Sequence, residues 1–225
     1  MTVEERYTRN IGTLTLDEMN TLQKKRVCII GCGGLGGHIL EMLTRIGILN
    51  ITVVDGDVFS PSNLNRQVLC TEKNIGEYKA VHAVQRVKQI NSAVTISAHT
   101  MFLNDDNAEA ILHGHDVIVD ALDNVPTRLL LEKHAEALNI PLIHGAIHGW
   151  MAQIAVIMPG DKILSRLYGT AAKAPTPTNP SFTPAFCASL QVSETVKLLC
   201  GKETLAKNQL LMFDLRDNSM FAITV

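Results

Sequence analysis

Arg26-Val-Cys-Ile-Ile-Gly-Cys-Gly-Gly-Leu-Gly-Gly37 is the stretch on which the fold turns. Val27 to Ile30 is an unbroken apolar run that reads as a buried strand, and the glycines after it let the backbone turn tightly. From Gly34 to Ile46 the spacing of Leu35, Ile39, Met42, Leu43 and Ile46 is helical, and Gly47 stops the helix. A buried strand that runs through glycines into a helix begins a parallel α/β unit. Such a unit places a nucleotide phosphate against free backbone N–H groups at the positive end of the helix dipole. The glycines expected at that site are Gly31, Gly33, Gly34 and Gly36.

Outward from this unit the alternation continues. Asn50 to Asp55 reads as a second buried strand, and Asp55 follows Gly36 by 19 residues, placed to accept hydrogen bonds from ribose hydroxyls. Ala80, Ala83, Val84, Val87 and Ile90 form a helical stripe within 77–90. Short strands are expected at 94–97 and 116–122, then a helix near 126–138 and a strand at 141–145. The second half differs in character. A longer strand is expected at 150–158, and 210–213 with 220–225 as a closing pair. The stretch 168–184 holds four of the eight prolines and reads as a mobile loop, followed by a helix over 185–199. The fold class expected is α/β: a Rossmann-like, mainly parallel central sheet with helices on both faces, extended by antiparallel strands in the C-terminal half.

Composition narrows the function. At 225 residues, 46% hydrophobic and 19% charged, the chain has material for a substantial core. Twenty basic and 22 acidic residues leave a net charge of −2, without the basic excess of a nucleic-acid or membrane-surface binder. Ten aromatics among 225 residues argue against a base-stacking surface. No apolar run reaches the roughly 18 residues of a membrane span, and MTVEERYTRN resembles no secretory signal. The five cysteines are odd in number and scattered, so no disulfide framework is expected, and the reading is a cytoplasmic protein.

A glycine loop and one acid do not distinguish NAD from ATP; later residues do. Asp57, Asn63, Arg66 and Gln67 follow Asp55 closely, and Lys79 opens the next helix. Hydride transfer needs no cations just past the ribose acid. Chemistry at a triphosphate does, because fixed cations stabilise charge on the reacting phosphate and on departing pyrophosphate. Asp120-Ala-Leu-Asp123-Asn124 ends a further strand in carboxylates, and a carboxylate such as Asp123 can hold the Mg2+ that accompanies ATP.

Together with Arg6-Tyr7-Thr-Arg9-Asn10, Gly76-Glu-Tyr-Lys79-Ala80, Pro141 to Gly149 and the helix from Ser189, these motifs run through nearly the whole chain in order. In this the chain resembles the ubiquitin-activating-enzyme-like adenylyltransferases, the ThiF, MoeB and HesA family. The resemblance implies one ThiF-type adenylation domain over 1–225: an N-terminal helical segment (1–25), a nucleotide-binding half (26–145) and a partner-binding half (146–225). It implies a reaction in which the C-terminal glycine carboxylate of a small ubiquitin-like sulfur carrier, ending in Gly-Gly, is joined to AMP with release of pyrophosphate. By the same resemblance Asp55 would hold the ribose, Arg66 and Lys79 the phosphates, and Asp123 the Mg2+. Asn63 would help to position the reacting groups, and Arg9 would reach the site from the other subunit of a homodimer.

Three alternatives stand beside this reading: adenylation of a peptide or small carboxylate, an NAD-linked oxidoreductase, and a scaffold with a decayed site. Arg66, Lys79 and Asp123 weigh against the last two. Many relatives hold a structural zinc with paired CxxC motifs, and this chain has none, so no zinc site is expected. His144 and His148 are expected to be ordinary packed or surface histidines. Cys187 begins an apolar stretch and is expected to pack rather than react.

Overall fold

The computed structural model describes residues 4–169 and 178–225. After a 3-10 segment, Glu5–Asn10, the elements run α1 (Leu16–Lys24), β1 (Arg26–Ile30), α2 (Gly34–Ile46), β2 (Asn50–Val54), α3 (Lys79–Ile90), β3 (Thr95–His99), α4 (Ala108–Leu112), β4 (Val117–Asp120), α5 (Val125–Ala137), β5 (Leu142–His148), β6 (Met151–Ile157), α6 (Ile163–Tyr168), α7 (Phe182–Leu199), β7 (Gln209–Asp214) and β8 (Ser219–Thr224). One eight-stranded sheet has the order β3-β2-β1-β4-β5-β6-β7-β8. The pairs among β3, β2, β1, β4 and β5 are parallel, and those from β5 through β8 are antiparallel. The α/β fold with a mainly parallel sheet and an antiparallel C-terminal extension is therefore the observed one.

Alternation along β1 builds two cores. Val27 and Ile29 face a layer that includes α2, α3 and α7, whereas Cys28 and Ile30 face one built from α4, α5 and α6. Burial on both faces explains why β1 from Val27 onward and β4 as far as Val119 are apolar rather than alternating. Helix α7 lies across the same sheet face as α2. Its Gln191 is fully buried, and Nε2 donates to the carbonyls of Asp120 (2.7 Å) and Ile143 (3.3 Å). Gly145 makes room for this contact, since a Cβ there would come within 2.2 Å of the Gln191 amide carbon.

Several boundaries differ from the sequence reading. Helix α7 starts at Phe182 rather than 185, because Pro184 sits in its first turn, where a missing N–H costs no helical hydrogen bond. Tyr168 closes α6 instead of opening a loop. Of the expected loop, 170–177 lies outside the described residues. Helix α1 has a capping box in which Thr15 Oγ1 accepts from Glu18 N and Glu18 accepts from Thr15 N. No helix among the described residues is long and apolar enough to cross a membrane.

Candidate active site

The C-terminal ends of β1, β2 and β4 open onto a cleft of about 740 Å³, at the edge where parallel sheets bind ligands. Gly31, Gly33, Gly34, Asp55, Asp57, Arg66, Gln67, Lys79 and Asp123, which come from five separate stretches of chain, all line it. Gly36, Asn63 and Arg9 are not among the lining residues.

The glycine loop is shaped by close backbone approach. Gly31 has φ +103°, and a Cβ on it would lie 2.6 Å from the Ala121 carbonyl oxygen. Gly36 is absent from the wall because it has a packing role: its Cβ would stand 1.8 Å from Gly31 O, so only glycine lets α2 meet the end of β1. Gly33 caps α2 without any side-chain hydrogen bond, so the helix N–H groups have no local acceptor side chain. Beside it Gln67 is buried, and its Oε1 lacks a hydrogen-bond partner among the described residues. An uncapped helix N-terminus and an orphaned buried amide in one cleft fit a ligand that carries both phosphates and hydroxyl donors.

Asp55 is held by two backbone donors, Cys32 N to Oδ2 (2.6 Å) and Asp57 N to Oδ1 (2.8 Å). Burial pushes its carboxyl upward, opposed by these donors and by the Lys79 charge. A carboxylate offers about four acceptor positions, so capacity remains for ribose hydroxyls. Lys79 is largely buried, and its Nζ lies 2.9 Å from Asp57 Oδ2. The Arg66 guanidinium donates to Ser62 O (3.0 Å) and Asn65 Oδ1 (2.9 Å). Asn63 sits behind these residues: its Oδ1 accepts from Ser60 N (3.0 Å), and its carbonyl accepts from Arg66 N (3.1 Å) and Gln67 N (2.9 Å). It thereby organises the turn that presents both side chains. Asp123 is exposed and makes no hydrogen bond or ion pair with the described residues.

Arg9 is exposed on the N-terminal 3-10 segment, which is pinned on either side of it. The buried Tyr7 hydroxyl accepts from Asn91 Nδ2 (2.7 Å), and Asn10 Nδ2 donates to Ile46 O (3.2 Å).

Sequence reasoning did not find Arg128, Gln153 and Tyr168, which also line the cleft. A signal was available for the first. Arg128, Leu131, Glu132 and Ala135 lie along the buried stripe of α5, so two charged residues occupy apolar helical positions. Histidine 144, expected to be an ordinary packed residue, is wholly buried in a polar network with Asp120. Cys187 is also fully buried, its thiol pushed up to about 12 by desolvation, with Sγ 3.6 Å from Gln153 O. A Cys187→Ser protein should therefore keep the adenylation expected from the sequence resemblance close to the wild-type rate. A folded variant unable to adenylate, measured by pyrophosphate exchange, would give the thiol a chemical role.

The sequence model of the ThiF family matches residues 7–225. The chain belongs to the ThiF family. Among curated relatives, the sulfur carrier protein adenylyltransferase of Thermus thermophilus is 34% identical over 218 residues, covering 91% of this chain and 80% of the relative. The SAMP-activating enzyme E1 of Haloferax volcanii is 32% identical over 224 residues, covering 95% and 82% respectively. The crystal structure of Escherichia coli MccB with ATP superposes with a TM-score of 0.85 at 21% identity, covering 99% of this chain and 72% of that one, a likeness of fold. As a ThiF-family protein, the chain is an ATP-dependent adenylyltransferase, one that activates a carboxylate.

Proposed function

We propose that this ThiF-family enzyme adenylates the C-terminal glycine carboxylate of a small ubiquitin-like sulfur-carrier protein, of the kind used in thiamine or molybdopterin synthesis. The observation that carries the reading is the joining of the glycine loop, Asp55, Arg66, Lys79 and Asp123 in one cleft. Two of its relatives, the sulfur carrier protein adenylyltransferase at 34% identity and the SAMP-activating enzyme E1 at 32%, support the choice of acceptor.

In this mechanism the carrier carboxylate attacks the α-phosphorus of ATP, a new C(O)O–P bond forms, and the bond to pyrophosphate breaks. A C-terminal carboxyl has a pKa of about 3.5 and is already ionised near neutrality, so the step needs no general base. What remains is positioning and charge stabilisation. Asp55 takes the ribose hydroxyls, and the α2 N-terminus faces the phosphates. Arg66 and Lys79 stabilise the charge that grows on pyrophosphate as it leaves. Asp123 would hold Mg2+, which would supply neutralisation of phosphate charge when bound. Asn63 acts through the turn it closes, and Arg9 reaches the phosphates of the partner's site in a homodimer.

The purified protein should catalyse ATP–pyrophosphate exchange that requires both Mg2+ and a carrier ending in Gly-Gly. Calorimetry showing tight NAD binding and no ATP binding would defeat the reading. Exchange driven by a small carboxylic acid without any carrier would shift it to the peptide or small-molecule acceptor.

A further inference from the structure

We propose that Arg128 is a positioning residue: it ties the turn between β4 and α5 to the buried Asp120, so that the Asp123 carboxylate stands at a set place in the cleft. The inference rests on the reading in which Asp123 holds Mg2+.

The turn has two free backbone groups at Leu122, and the Asp120–Arg128 pair takes both. Leu122 N donates to Asp120 Oδ1 (2.9 Å), while Arg128 Nη2 donates to Leu122 O (2.5 Å). Arg128 Nε lies 3.3 Å from Asp120 Oδ2, and Nη2 also donates to Gly145 O on β5 (3.3 Å). Asp120 is itself oriented by His144, whose Nδ1 is 2.7 Å from Oδ2. Burial pushes the His144 pKa down against the opposing pull of Asp120, and the neighbours fit Nδ1 as donor to Asp120 with Nε2 facing the Gln153 amide nitrogen at 3.2 Å. On either side of Leu122 the chain is fixed as well: Ala121 N donates to Ile30 O (2.9 Å), and Asn124 Oδ1 caps α5 through Thr127 N (3.0 Å). Asp123 alone in this turn has a side chain committed to nothing among the described residues, on a backbone held immediately before and after it. A clamped backbone under a free carboxylate is the arrangement a preorganised ligand requires.

The guanidinium fork is what makes the clamp, because it meets Asp120, Leu122 and Gly145 at once. A lysine keeps the charge opposite Asp120 and loses the bridge. The decisive variant is therefore Arg128→Lys, studied with α,β-methylene-ATP by calorimetry, with and without Mg2+, alongside the exchange rate. Affinity without Mg2+ should stay within about twofold of wild type, which reports a folded cleft, while the gain in affinity on adding Mg2+ falls by roughly tenfold or more and kcat falls with it. Should Arg128→Lys fail to fold, the double variant Asp120→Asn with Arg128→Gln removes both buried charges together and should show the same pattern.

A folded variant with the wild-type Mg2+ gain would overturn the proposal. So would an equal fall in affinity with and without Mg2+, which marks a general structural role. A wild-type protein whose nucleotide binding ignores Mg2+ sinks the Mg2+ role of Asp123 itself, a result visible before any variant is made.

Discussion

On the proposed mechanism, Arg66→Ala and Asp123→Ala should each slow ATP–pyrophosphate exchange by roughly a hundredfold or more, since Arg66 would stabilise charge that grows toward the transition state and Asp123 would hold the Mg2+ that does the same. The two losses differ in kind. Arg66 is half-buried, and its guanidinium rests on Ser62 O and Asn65 Oδ1, so truncation removes a cation from the cleft wall and leaves the turn made by Asn63 in place. Asp123 is exposed and bonded to nothing among the described residues, so its removal costs the fold little. Melting temperatures near wild type should accompany both rate losses. An Asp123→Ala protein that exchanges at the normal rate would remove this carboxylate from the mechanism.

The second large effect concerns Arg9. In the proposed homodimer, Arg9→Ala and Lys79→Ala proteins should both be nearly inactive, for different reasons. Lys79 lines the cleft of its own chain, whereas Arg9 does not and is presented outward by a segment anchored at Tyr7 and Asn10. If each site takes Arg9 from the partner, the two dead proteins complement one another. Unfolded together in equal amounts and refolded, about half the dimers are mixed, and each mixed dimer has one intact site, so about a quarter of wild-type activity returns. If Arg9 served its own subunit, no mixed dimer would hold an intact site. Absence of recovery, with mixed dimers shown by mass spectrometry, would end the shared-site reading.

The glycine-loop end of the cleft was legible because its determinants are local. Strand β1, the glycines and α2 follow one another without interruption, and helical spacing from Leu35 to Ile46 marks α2 over 34–46, the span it occupies. Asp55, Arg66, Lys79 and Asp123 could be named because each follows a recognisable strand, turn or helix start. The other end was not legible, since its determinants are far apart in sequence. Helix α6 has no local cap: Glu132 on α5 accepts from Leu164 N (2.6 Å) and Ser165 N (2.8 Å) across 32 and 33 residues. A six-residue helix held by a distant carboxylate leaves no pattern in its own sequence. For the same reason Tyr168 was read as loop, although it lines the cleft. Asp120, Arg128 and His144 lie in three consecutive elements, and only the pairing of β4 with β5 shows that they meet.

Helix α7, among the last elements of the chain, covers the face shared with α2. A chain emerging from the ribosome completes β5 about fifty residues before it completes this cover. At rough synthesis rates of 5–20 residues per second, the Ile143 face of the sheet is without α7 for several seconds. If β1 to β5 pair within that interval, the nascent protein presents an apolar surface to chaperones and to its neighbours on the same message. Val192, Val196 and Leu199, which stand outside the cleft, thus bear on how much protein a cell accumulates as well as on how stable each finished molecule is.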